Sequence, residues 1–187
     1  MNMADVRNPM ICAAVVALAS MTAQRGSAEV VSVANNGFEI HETAHAAASP
    51  DKVYAALLQP ARWWSADHTF SGSAANLVLE PRAGGCWCET LPNGGSVEHL
   101  RVVFVSPGKT LRLRGALGPF QGFAVDGVMT WSLKSVANGT DISLTYAIGG
   151  YVKDGFDELS KAADQVLGQQ IEQLKKSVDG GTAQRGH

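Results

Sequence analysis

Cysteine is scarce in this sequence, with three residues in 187, too few for a disulfide framework. Cys12 lies in an N-terminal apolar stretch, which leaves Cys86 and Cys88 in the body of the chain. Side chains two residues apart on a strand point to the same face, and a direct disulfide between them would close a tight ring with poor geometry. The sequence therefore excludes the class of small proteins that several disulfides stabilise.

The chain also lacks an excess of positive charge. It carries 15 lysines and arginines against 17 acidic residues, interspersed along the sequence, for a net charge of −2. Nucleic-acid-binding domains carry a basic patch, so this balance argues against a nucleic-acid partner. The sequence has no glycine-rich phosphate loop, no serine nucleophile elbow and no paired-histidine metal motif, and we expect no cofactor.

The N-terminal apolar stretch, Met10 to Ala23, is too short to span a bilayer as an ordinary helix. It follows Arg7 and precedes the small residues Gly26 to Ala28. This pattern is typical of a secretory signal peptide, residues 1–28, with an uncleaved anchor as the alternative. We therefore expect a periplasmic or secreted protein that has no stable membrane anchor after cleavage, and we interpret residues 29–37 as a flexible lead-in.

The chain does contain one long amphipathic helix near its C-terminus. Apolar residues from Phe156 to Val178 recur at steps of three and four, which predicts a helix from Asp154 to about Val178. Asp154 is the expected N-cap, and the glycine pair that begins at Gly180 ends the helix. We expect residues 179–187 to form a disordered tail.

The residues before this helix predict mainly strands. Phe38 to Ala47 alternates apolar and polar residues, and Glu42 is expected on the same face as Ile40. Two short helices follow, one after Ser49 and one after Pro60. About six antiparallel strands then lead to the long helix. This order predicts an α+β fold in which a curved antiparallel sheet of six to seven strands wraps around the C-terminal helix and leaves a cavity between them.

A resemblance to a known superfamily rests on four stretches of the sequence: Ser49 to Tyr54, Arg62 to Trp64, Glu80 to Glu89 and the closing helix. Residues 38–178 resemble the START-like superfamily, also called SRPBCC or helix-grip. Within it, the chain is similar to polyketide cyclase/dehydrases and to bacterial relatives of heat-shock-protein ATPase activators. The resemblance implies the helix-grip fold and a small hydrophobic ligand, although the superfamily hosts carriers, cyclases, hydrolases and regulators. Activator relatives usually carry arginine after the glycine pair, where this chain has Cys86.

The strands on either side of Asn93 and Gly94 contain candidates for acid–base chemistry. If these residues form a two-residue hairpin turn, Glu89 lies opposite Glu98 on the inner face of the sheet. Two opposed carboxylates under a partly apolar roof would not both ionise easily, so they could act as general acid and base or bind a ligand. The alternative is that both lie near the end of the sheet, in water or paired with an arginine.

The same register would place Cys86, Cys88 and His99 together on the opposite face. Two thiols and an imidazole could bind Zn²⁺ or Cu⁺, although a structural zinc site normally has four ligands. The alternative is ordinary small side chains on a sheet face, because cysteine commonly packs as a small hydrophobic residue. We expect no metal, and these three residues are the candidate set if one binds.

Aromatic and large apolar residues are the candidates for a ligand-binding wall. Inward-facing aromatic residues commonly form core packing, and the others would line a cavity for a flat or apolar ligand. Phe120, in a loop, could form a lid, whereas His68 is expected on the surface. The candidate ligand-binding residues are Trp64, Trp87, Leu100, Phe120, Met129, Trp131, Tyr146 and Phe156.

Three classes of function follow from these patterns. The first is an exported protein, monomer or dimer, that binds a small hydrophobic or aromatic molecule. The second is a cyclase, dehydratase or hydrolase that uses Glu89 and Glu98 as acid and base, and the sequence leaves open whether the protein is an enzyme. The third is a co-chaperone-like interaction module. The predicted export argues against this role, because an exported protein would not meet a cytosolic ATPase. We favour the first.

Overall fold

The computed structural model describes residues 28–180 of the chain. The predicted signal peptide, apart from Ala28, and residues 181–187 of the predicted tail lie outside the described residues. Within residues 28–180, no helix combines the length and the apolar character that a membrane crossing requires.

Eight strands and two α-helices form the framework of residues 28–180, and short 3₁₀ turns connect some of them. The strands are β1 (Ala28–Ala34), β2 (Gly37–Ala46), β3 (Leu77–Leu79), β4 (Cys86–Thr90), β5 (Ser96–Ser106), β6 (Thr110–Arg114), β7 (Ala124–Val136) and β8 (Gly139–Tyr151). The helices are α1 (Pro50–Leu57) and α2 (Asp157–Asp179).

The eight strands form one antiparallel sheet with the spatial order β1-β2-β8-β7-β6-β5-β4-β3. Helix α2 packs against β2 and β1, and α1 packs against α2 and β7. A sheet that buries one face under helices is an α+β layer. The predicted class, an α+β helix-grip fold, is therefore confirmed.

The sheet has one strand more than predicted, because the segment interpreted as a flexible lead-in is β1. That interpretation is wrong: β1 pairs antiparallel with β2, with Ala28 opposite Glu42 and Ala34 opposite Gly37. Val33 on this edge strand is 41% exposed. Main-chain hydrogen bonds hold this edge strand, and few of its side chains are buried. Its sequence therefore shows little of the apolar alternation that predicts a strand.

Helix α2 begins at Asp157 rather than at the predicted Asp154, because a turn occupies the preceding residues. The main-chain N–H of Gly155 donates to the oxygen of Val152 at 3.1 Å. Gly155 has φ +81°, a left-handed conformation that an α-helix cannot contain. Phe156, and not Asp154, therefore occupies the N-cap position.

Helix α2 ends at Asp179, the first residue of the segment predicted to be disordered. The carboxylate of Asp179 accepts a hydrogen bond from the main-chain N–H of Ala47 at 2.9 Å, which ties the helix end to the chain after β2. The predicted apolar stripe of this helix is confirmed by the buried residues Ala163, Leu167, Ile171 and Leu174.

Inward-facing side chains of neighbouring strands align in rows across the sheet. One row contains Ile40, Tyr146, Met129 and Leu113, and the next contains Glu42, Leu144, Trp131 and Leu111. All eight are fully buried. The prediction that Glu42 shares a face with Ile40 is therefore correct. The carboxyl group of Glu42 lies inside the core as a result.

Candidate ligand-binding site

A cavity of about 280 Å³ lies between helix α2, the sheet and the loops that follow α1 and β6. Phe70 and Phe123, which line it, are 54% and 40% exposed, so they mark the side on which the cavity meets solvent. Helix α2 contributes Leu159, Ala162, Ala163, Val166 and Leu167 to the wall. The wall is therefore mainly hydrocarbon and aromatic.

The predicted ligand-binding residues divide into two groups. Those that line the cavity are Trp64, Trp87, Phe120 and Tyr146. Those that are buried in the core, outside the cavity wall, are Leu100, Met129, Trp131 and Phe156. Trp131 packs edge-on against Trp63 with ring centres 5.7 Å apart, and Phe156 packs against Phe38 at 5.9 Å. Aromatic neighbours thus occupy the space beside these two rings.

Sequence reasoning missed several residues of the cavity wall. His68, expected on the surface, lines the cavity, and its Nε2 lies 3.2 Å from Oε1 of Gln169. Phe70 and His99 also line the cavity. An aromatic residue within an otherwise polar loop is a signal that could have identified Phe70.

Tyr146 contributes its aromatic ring to the cavity wall, and its hydroxyl already makes two hydrogen bonds within the protein. The hydroxyl donates to the main-chain oxygen of Gly115 and accepts the N–H of Leu117, both at 3.0 Å. Burial raises the pKa of Tyr146, so the hydroxyl stays neutral. Tyr146 therefore holds the chain after β6 against the cavity and offers a ligand only its ring.

The hairpin between β4 and β5 has a longer turn than predicted. The main-chain N–H of Leu91 donates to the oxygen of Gly95 at 2.9 Å, so three residues, rather than two, form the loop. Asn93 and Gly94 both have positive φ, at 60° and 80°. The extra residue moves the register by one, and Glu89 lies opposite Val97 instead of Glu98.

A β-bulge then restores the register that the sequence predicted. Cys88 lies opposite Glu98 and Trp87 opposite Leu100, so His99 is the extra residue of β5. Because of the bulge, His99 and Leu100 are both buried although they are neighbours in sequence. Beyond it, the predicted pairing of Cys86 with Arg101 is correct.

The three-residue loop separates the two glutamates that were expected to form an acid–base pair, so that prediction is wrong. Glu98 points outward and forms an ion pair with Arg101, and both side chains are about half exposed. Glu89 remains on the inner face and is 1% exposed. The structure brings Glu89 together with His99 instead.

Glu89 is a buried carboxylate with three hydrogen-bond donors. Its Oε1 accepts the main-chain N–H of Ser71 at 2.5 Å. Its Oε2 accepts the main-chain N–H of Phe70 at 3.1 Å and Nε2 of His99 at 2.9 Å. Burial opposes ionisation, but the hydrogen bonds from Ser71, Phe70 and His99 outweigh it and lower the pKa of Glu89. Glu89 is therefore a fixed anion that holds the loop at Phe70 against the sheet.

His99 is oriented by this anion. A carboxylate can only accept, so Nε2 of His99 carries the proton of the bond to Glu89. His99 is 5% exposed, and its Nδ1 is buried without a hydrogen-bond partner among residues 28–180. The Phe70 ring stacks on the imidazole, with ring centres 5.9 Å apart. The polar end of the cavity thus presents one oriented imidazole.

Cys86 and Cys88 form a disulfide, which was not expected from the sequence for two cysteines at this spacing. Their Cα atoms are 5.4 Å apart, within the range that a disulfide can bridge, beside the irregular pairing of Trp87 and Cys88. His99 points to the opposite face, with Glu89. The candidate metal set of Cys86, Cys88 and His99 is therefore wrong, and the described part of the chain holds no group of three or more His, Cys, Asp or Glu residues arranged for a metal.

The fold agrees with the comparisons with known proteins. A protein from Mesorhizobium loti is 20% identical, over 76% of this chain and 97% of that chain, with a TM-score of 0.57. An uncharacterized protein from Rhizobium leguminosarum is 18% identical, over 83% of this chain and 98% of that chain, also with a TM-score of 0.57. At these identities the likeness shows the fold alone. No curated protein matches the chain significantly.

A family model described as polyketide cyclase/dehydrase and lipid transport matches residues 37–179. The match begins at the first residue of β2 and ends at the last residue of α2. It therefore spans the cavity, the Glu89–His99 pair and the helix that covers them. The chain belongs to the polyketide cyclase/dehydrase and lipid transport family, within the START-like superfamily.

Proposed function

We propose that this protein binds one small, largely apolar ligand in the cavity beside helix α2. The observation that carries the proposal is the wall itself, in which aromatic and aliphatic side chains surround about 280 Å³ of space. Small-molecule sites are concave and mostly apolar, with a few polar groups that fix orientation. Here the polar groups include His99 and the side chains of Asp67 to Thr69, and Phe70, the next residue in the chain, stacks on His99.

The size of the cavity restricts the ligand. Sites for drug-sized molecules enclose roughly 300–1,000 Å³, and this cavity, at about 280 Å³, lies just below that range. A molecule of two or three rings, or a short alkyl chain, fits such a volume better than a long acyl chain does. The aromatic rings of Trp64, Trp87 and Phe120 favour a flat ligand.

Filling the cavity is expected to abolish most of the binding. Val166→Trp should weaken binding of the apolar fluorescent probe N-phenyl-1-naphthylamine about tenfold or more, because overpacking costs about 1–3 kcal/mol. Val166 is half-buried on α2 and lines the cavity. The readouts are probe fluorescence and quenching of the tryptophan emission.

Val178→Trp is the matched control, because Val178 is also half-buried on α2 but does not line the cavity. It should bind the probe as the unchanged protein does. Equal affinities of the two variants would place the probe elsewhere and contradict the proposal.

We further propose that binding takes place outside the cytoplasm, on the strength of the signal-peptide pattern in residues 1–28. The full chain, expressed in a Gram-negative host, should appear in the periplasmic fraction with Glu29 as its first residue. Intact-mass measurement and N-terminal sequencing test this. A product that keeps Met1 and stays in the cytoplasm would refute export.

A further inference from the structure

We propose that the ligand carries a hydrogen-bond donor, such as the hydroxyl of a phenol, and that Nδ1 of His99 accepts it. This inference rests on the proposed function, because it assigns the chemistry at the polar end of the same cavity. Glu89 acts as a positioning residue, and its role is to decide which imidazole nitrogen has a free lone pair.

The hydrogen bonds around Glu89 set the tautomer of His99. Two main-chain N–H groups, from Phe70 and Ser71, already hold the carboxylate as an anion. The bond of 2.9 Å between its Oε2 and Nε2 of His99 therefore requires a proton on Nε2. In the neutral ring Nδ1 then has no proton, so it can accept but cannot donate.

Among the side chains of residues 28–180 that line the cavity, only His99 has a buried polar atom without a hydrogen-bond partner, its Nδ1. The hydroxyl of Tyr146 makes two hydrogen bonds, Nε1 of Trp64 donates to the oxygen of His68, and the hydroxyl of Thr69 donates to the oxygen of Ala66. His99 has no such bond at Nδ1. A buried acceptor without a partner is costly, and a donor on the ligand would remove that cost.

The surroundings of His99 define the rest of the ligand. Phe70 stacks on the imidazole and is half exposed where the cavity meets solvent, so an aromatic surface adjoins the acceptor. The other walls are apolar and the volume is small. The ligand class is therefore a flat, uncharged molecule with one hydroxyl or N–H group near its edge.

The test compares 2-naphthol with its methyl ether, 2-methoxynaphthalene, by isothermal titration calorimetry in mildly alkaline buffer. The two molecules share the ring system, but only the naphthol can donate a hydrogen bond. His99→Gln keeps an amide N–H that can reach Glu89 and loses the acceptor at Nδ1. We expect the preference for naphthol over the ether to fall about 3- to 10-fold in His99→Gln, the value of one hydrogen bond.

A second measurement needs no variant. In the ¹⁵N-labelled full chain, the Nδ1 signal of His99 should have the shift of an unprotonated nitrogen and should move on addition of 2-naphthol but not of the ether. An unchanged preference in His99→Gln, or an Nδ1 signal that responds equally to both compounds, overturns this inference and leaves the proposed function intact. If neither compound binds, the proposed function fails and the inference fails with it.

Discussion

Replacing Glu89 by alanine is expected to destabilise the protein by about 3–5 kcal/mol, whereas Glu98→Ala should cost less than about 1 kcal/mol. Glu89 is 1% exposed and accepts three hydrogen bonds, so its loss leaves Nε2 of His99 and the N–H groups of Phe70 and Ser71 without an acceptor. Glu98 forms a half-exposed ion pair with Arg101, and water can solvate both groups when the pair is broken.

Urea unfolding of the two variants measures this difference. Both variants lose a glutamate side chain from the same hairpin, so Glu98→Ala is the matched control for Glu89→Ala. Hydrogen exchange gives a local readout: the amides of Phe70 and Ser71 should exchange faster in Glu89→Ala and at the original rate in Glu98→Ala. Glu89→Gln keeps an acceptor oxygen and should lose less stability than Glu89→Ala. Similar losses at both sites would contradict the burial of Glu89.

As the pH rises from 4.5 to about 8, the contribution of Glu42 to the free energy of unfolding is expected to fall by ~1.4 kcal/mol for each pH unit. Glu42 lies on the inner face of β2 and is 1% exposed. Burial, then the charge of Asp164 on α2 and a hydrogen bond to it, raise the pKa of Glu42 from 4.5 to about 8. Below about pH 8 the carboxyl group of Glu42 therefore stays protonated in the folded protein and can donate a hydrogen bond to Asp164.

The direction of this pH dependence follows from proton binding. Within that range the folded chain binds a proton at Glu42 that the unfolded chain has lost, so raising the pH favours unfolding. The stability from this group is fully present below pH 4.5 and is lost as the pH rises through about 8. Ionisation would then place two carboxylates together between the sheet and α2.

Glu42→Gln isolates this contribution from the other groups that titrate in the same range. The amide is neutral at every pH and can still donate to Asp164, so the variant should be more stable than the unchanged protein near pH 8 and similar to it below pH 4.5. Thermal or urea unfolding at a series of pH values gives the difference curve. A constant difference across this range would show that Glu42 ionises as an ordinary glutamate.

The amphipathic helix and the inner face of β2 could be predicted because both depend on local periodicity. Leu167 and Ile171 are four residues apart, the spacing of one helical face. Ile40 and Glu42 are two residues apart, the spacing of one strand face, and all four are buried. Phe156, by contrast, belongs to the same apolar stripe but packs on Phe38 rather than lining the cavity. Periodicity therefore identifies buried faces but does not say which buried side chain adjoins empty space.

The Glu89–His99 pair could not be predicted from the sequence, because it depends on the register of β4 against β5. A three-residue loop and a β-bulge set that register. The sequence by itself determined the α+β order, the curved sheet and the long covering helix, since these follow from the alternation of apolar residues along the chain. Only the tertiary structure decided that His99 leaves the regular alternation and turns inward. It does so because the three-residue loop moves the register, and the buried carboxylate of Glu89 then binds both the imidazole and the loop at Phe70.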